Sequence, residues 1–156
     1  MESITGLKGQ SNIEIAKKLN QLLANYEVYY QNLRGFHWNI KGNDFFVLHE
    51  KFEELYNEAQ LAIDEVAERI LTLGEQPLHT YTDFVETSTI KECKNLSDSK
   101  STVEALLESL RILIALEREI LCLAGDADDE GTLALMSEYL SAQEKTVWMF
   151  ASFLNK

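Results

Sequence analysis

Proline and glycine are scarce, with one proline and seven glycines in 156 residues. So few turn formers favour a small number of long helices. Cysteine is scarce too: Cys93 and Cys122 stand 29 positions apart, form no CxxC pair and suggest no disulfide framework. No apolar run exceeds five residues, as in Ile112–Leu116, whereas a membrane span needs ~20. The opening MESITGLKG lacks the apolar stretch of a secretory signal, and a cytoplasmic location is the expectation. Positive charge is the last shortage. Fourteen Lys and Arg face 26 Asp and Glu, a formal −12. Such a surface repels polyphosphates, so nucleic acid and anionic membranes are disfavoured partners and cations are favoured guests.

The 46% apolar and 26% charged residues describe a folded globular chain. A chain of this length fits one domain and buries about 70% of the surface it exposes when unfolded. Residues 1–12 read as a short flexible tail and 13–156 as a single domain. From Ile13, apolar residues follow helical spacing through Ile15, Leu19, Leu22, Leu23, Tyr26, Tyr29, Leu33 and Phe36. A second helix, capped by Asn43 or Asp44, runs through Phe45, Leu48, Phe52, Leu55, Val66 and Ile70 to a stop at Gly74. The stretch from Glu75 to Lys100 is irregular, with room for a short helix around Asp83–Thr87. Ser101-Thr-Val-Glu104 is a capping-box pattern for a third helix that Gly125 ends. Asp126, Asp128, Asp129 and Glu130 then crowd the start of a fourth, which carries Leu133, Met136, Leu140, Trp148 and Phe153. Four long helices make a four-helix bundle the simplest all-α arrangement.

The second helix is unusually acidic, with eight acids and one lysine between Asn43 and Glu68. A solvated stripe is one explanation, but the spacing points further. His49 and Glu53 are four apart, as are Asp64 and Glu68, so each pair shares a helix face. Eleven residues separate Glu53 from Asp64, which at ~100° per residue leaves only ~20° of offset. All four side chains therefore lie near one line, a pattern that suits metal binding. The same eleven residues span about 16 Å of helix, too far for one metal within one chain. An antiparallel second copy would bring His49 and Glu53 opposite Asp64 and Glu68, which suggests sites between subunits. His37, twelve residues before His49, is a further candidate, either as ligand or as a satisfied helix-end histidine. Imidazoles and carboxylates with open positions suit Fe(II), and also Zn or Mn. The inward Glu-x-x-His pattern of bundle-core di-iron sites is absent. Trp38 adjoins His37 and could donate an electron if iron is oxidised there. The tyrosines and Cys122 read as core, and His79 has no assigned role.

The run FHWNIKGNDFFVLHEKFEELY followed by IDEVAERILTLG closely resembles the Dps family of miniferritins, and the similarity extends to KTVWMFASFL. The resemblance implies a ferritin-like four-helix bundle with a short helix in the connection between the second and third long helices. It implies a hollow homododecamer with ferroxidase sites at two-fold interfaces. The family's iron ligands map onto His37, His49, Asp64 and Glu68, and a fifth position, commonly Asp, is Glu53 here. Trp38 matches the tryptophan that lies against the iron. The implied chemistry is oxidation of paired Fe(II) to Fe(III) by hydrogen peroxide, less efficiently by O2, with ferric mineral stored inside. Asp126, Asp128, Asp129 and Glu130 fall where the family places its three-fold pore, although Ala134 stands where many members carry a further acid. DNA binding in the family rests on a lysine-rich tail, and residues 1–12 hold only Lys8. A DNA-protecting protein, or a shell that sequesters metal without efficient oxidation, are the alternatives.

Overall fold

The computed structural model describes residues 4–7 and 9–156, and among them all regular structure is helical. The helices are α1 (Gly9–Asn39), α2 (Phe45–Thr72), α3 (Tyr81–Thr87), α4 (Ser99–Asp126) and α5 (Glu130–Phe153). Helix α1 packs on α2, α3 and α4, and α5 packs on α4. Leu19, Leu22, Leu33, Phe52, Val66, Ile70, Leu106, Leu113 and Met136 face inward as expected and are fully buried, whereas Phe153 of α5 is exposed. Each of the buried side chains contributes roughly 1.5–3 kcal/mol by leaving water. Among the described residues, no helix is long and apolar enough to cross a membrane.

Three local expectations are corrected. Helix α1 begins at Gly9, so it takes the last residues of the expected tail; residues 1–3 and 8 of that tail lie outside the described residues. The cause is Asn12, 4% exposed, whose Nδ2 donates to the carbonyl of Leu73 at 3.2 Å and ties the start of α1 to the end of α2. Helix α4 begins at Ser99, with Asp98 as the cap that accepts from the Ser101 amide. Ser101 is thus inside the helix rather than capping it. Gly125 also lies within α4, and the turn falls at Asp128, whose φ is +56°. Elsewhere the signals hold. Gly74 stops α2 at φ +86°, a conformation that suits glycine. Asp44 occupies the cap position of α2, but its carboxylate accepts instead from the Ser99 hydroxyl at 2.7 Å.

Asparagines on α1 hold the irregular 75–98 connection. Asn20 bonds the backbone of Gln76 and Leu78, Asn25 accepts from the amides of Thr89 and Ile90, and Asn32 bonds Lys91 and Cys93. Asparagine side chains, buried at Asn25 and Asn32, substitute here for the backbone partners that an irregular strap lacks. Cys122, expected in the core, is exposed, as is Trp148.

Candidate metal centre

His37 ends α1 and His49 lies in the second turn of α2, and the short turn between the helices stacks their rings. The centroids are 3.8 Å apart and the planes differ by 13°. His37 Nδ1 donates to the carbonyl of His49 at 2.6 Å, and His49 Nδ1 donates to the carbonyl of His37 at 2.7 Å. A carbonyl can only accept, so each Nδ1 carries a hydrogen, and the neutral tautomer that fits these bonds has its lone pair on Nε2. Backbone bonding of one ring nitrogen is how metal-binding histidines are commonly oriented. Phe45 stacks on His49 at 4.9 Å, and Tyr56 meets His37 edge-on at 5.3 Å. His37 is 8% exposed.

Glu53 lies one turn beyond His49, exposed, and accepts a long 3.4 Å bond from the Tyr56 hydroxyl. Asp64 and Glu68 are exposed on α2 and form no hydrogen bond or ion pair with the described residues. The fold therefore brings His37 to His49, with Glu53 one turn along α2, and leaves Asp64 and Glu68 farther along the helix. Among the described residues, no three His, Cys, Asp or Glu side chains converge within the protomer. Trp38, 58% exposed, lies under the Arg34 guanidinium at 4.8 Å from the ring centroid.

A second polar cluster occupies the bundle interior. Glu117, fully buried, accepts from the Tyr26 hydroxyl and from Gln143 Nε2, both at 2.8 Å. Burial pushes its carboxyl up to about 7, and the two hydrogen bonds oppose that rise. Nearby, Tyr139 donates to Glu65 at 2.5 Å, and a cavity of about 210 Å³ opens between α2 and α5.

A family signature for the ferritin-like domain matches residues 16–156. The DNA protection during starvation protein of Porphyromonas gingivalis is 46% identical, over 98% of this chain and 96% of that one. The chain belongs to the Dps family. The crystal structure of the Dps protein from Vibrio cholerae O1, described as a member of a broad superfamily of ferritin-like diiron-carboxylate proteins, superposes with a TM-score of 0.96. It is 48% identical and the match covers 99% of this chain and 98% of that one. A Dps from Listeria innocua, solved with two histidines twelve positions apart changed to glycine, is 29% identical at a TM-score of 0.88, over 91% and 95% of the two chains.

The acidic turn of this Dps chain divides into two kinds of residue. Asp126, Asp128 and Glu130 are exposed. Asp129 is removed from the pore candidates: it is 1% exposed and caps α5 by accepting from the Thr132 amide at 3.0 Å. It also pairs with Arg69 of α2 at 2.5 Å, and Arg69 Nε donates to the Thr132 hydroxyl at 2.9 Å. A buried, fully engaged carboxylate cannot line a pore. Arg69 carries one signal in the sequence: it is the sole Lys or Arg between Lys51 and Lys91. Such isolation marks a base with a particular partner. The signal for the Tyr26–Glu117–Gln143 cluster is the glutamate on the apolar side of α4.

Proposed function

We propose that this Dps chain is a ferroxidase and iron store that oxidises Fe(II) with hydrogen peroxide, and O2 less efficiently, at sites shared between two subunits. The reading rests on the reciprocal locking of His37 and His49, which leaves both Nε2 atoms as ligands. Asp64 and Glu68, unpartnered within the described residues, complete the site from a second copy across a two-fold axis. Their separation from the histidines along α2 requires that second copy. The twelve-residue spacing of His37 and His49 equals that of the histidines replaced in the Listeria innocua protein.

Two Fe(II) ions, as substrate, occupy each site. Each gives up one electron, and two electrons with two protons convert one hydrogen peroxide to two waters. Pairing the electrons avoids the one-electron product, hydroxyl radical. Glu53 supplies a carboxylate directly or through a water, its arm longer than that of the aspartate common in the family. The ferric product is stored in a hollow dodecamer, and the −12 charge of every chain favours Fe(II) entry. Asp126, Asp128 and Glu130 form the negative funnel at the three-fold pore. The chain acts in the cytoplasm, and its charge leaves DNA binding unsupported.

The deciding experiment loads apo-protein with Fe(II) anaerobically and mixes it rapidly with hydrogen peroxide. Fast ferric absorbance at about one peroxide per two irons supports the reading. A rate no better than that of free iron in the same buffer would overturn it, and would leave a metal-sequestering shell.

A further inference from the structure

Tyr30, Arg34 and Trp38 stand four residues apart on α1, so the three side chains form a ladder up one face of the helix. The Arg34 guanidinium carbon lies 4.8 Å from the Trp38 ring centroid and 5.3 Å from that of Tyr30. Arg34 makes no ion pair and no hydrogen bond with the described residues; Glu27 and Glu92 line the same cavity without pairing with it. It is half-buried, which limits screening by water. Trp38 in turn adjoins His37, whose ring orientation is fixed from the other side by His49.

We propose that Arg34 is a positioning residue that holds Trp38 flat and makes its indole a poorer one-electron donor. A cation over a ring face is attracted by the negative face of the neutral π-system. When the indole loses an electron it becomes a radical cation, and the same guanidinium then repels it. The attraction present before oxidation and the repulsion present after it both disfavour the step. The oxidant concerned is hydroxyl radical, which arises when a single iron meets hydrogen peroxide; it takes one electron from Trp38 and leaves as hydroxide. Arg34 thereby limits how readily Trp38 is consumed beside the metal centre. This builds on the proposed ferroxidase reading, but the experiment below uses no iron and so is decided separately.

The test uses iron-free, assembled protein in a Trp148→Phe background, where Trp38 is the remaining tryptophan. Voltammetry gives the indole oxidation potential, and peptide mass mapping after a limited dose of azide radical gives the share of oxidation at Trp38. Azide radical is neutral, so Arg34 does not steer its approach. Arg34→Met should lower the oxidation potential and raise the Trp38 share at least threefold. Arg34→Lys, which keeps the charge but loses the planar stack, should fall between. An unchanged potential in Arg34→Met, or a lysine variant indistinguishable from it, would overturn the proposal. So would a gain in oxidation fully matched by a gain in acrylamide quenching of Trp38, because exposure alone would then explain it. Should Arg34→Met fail to assemble, Arg34→Gln serves the same decision.

Discussion

His37 and His49 hold one another in place: each ring donates to the backbone carbonyl of the other, across a 3.8 Å stack. Neither ring can turn without breaking its own bond and unstacking its neighbour. His49→Ala should therefore free His37 as well as delete a proposed ligand. Fast peroxide-driven iron oxidation is expected to fall by one to two orders of magnitude, the range seen when a metal site loses an orienting partner. Stopped-flow absorbance of the assembled variant checks it, and wild-type rates would sink the assignment.

Asp64 and Glu68 offer the complementary case. They are exposed and unpartnered among the described residues, so Asp64→Asn should change protomer stability by only about 0.5 kcal/mol. Iron oxidation should nevertheless drop as it does for the histidine variant. Thermal melts alongside the stopped-flow traces separate the two effects.

Arg69 and Asp129 join α2 to the start of α5, with Asp129 1% exposed. Arg69→Ala leaves the buried carboxylate without its counter-charge and should cost about 3–5 kcal/mol. Gly131→Ala tests the same junction more gently. An added Cβ would come within 2.9 Å of the Arg69 guanidinium, which must shift, at a cost of about 1–3 kcal/mol. Denaturant melts at matched protein concentration give both values, and the order of the two variants is the critical outcome.

Glu117 predicts a pH effect. Its carboxyl rises from an ordinary 4.5 to about 7 in the fold. Between those values the folded chain holds a proton that the unfolded chain releases, so stability falls as pH rises from about 4.5 to about 7 and is flat above. Glu117→Gln keeps an acceptor for Tyr26 and removes the charge. It should flatten that slope and stabilise the protein at pH 8 by up to about 3 kcal/mol. Denaturant midpoints at pH 5 and pH 8 for both proteins decide it, and parallel pH profiles would show that Glu117 is not the group responsible.

Asn25 is fully buried and gathers the Thr89 and Ile90 amides and the Ser88 hydroxyl onto one oxygen. Asn25→Ala leaves those donors unsatisfied, which should cost about 1–3 kcal/mol. Hydrogen exchange should accelerate at residues 88–90 before it does in α1, and uniform acceleration would contradict the anchoring role.

Helical periodicity is a local property, written in every three or four residues, and so the four long helices and their inward faces were legible in the sequence alone. The line of His49, Glu53, Asp64 and Glu68 along α2 was legible for the same reason. Tertiary structure decided whatever depends on residues distant in sequence. The bond that orients His37 runs to a carbonyl across the α1–α2 turn, and no local pattern announces it. Asp129 looked identical to Asp126 and Asp128 until α2 brought Arg69 against it. The cap of α4 shifted from Ser101 to Asp98 because both residues carry capping side chains, and only the path of the incoming chain chooses between them. The asparagines of α1 had no visible purpose, because an irregular strap has no periodicity and the amides it leaves unpaired are revealed only once it is laid along the helix.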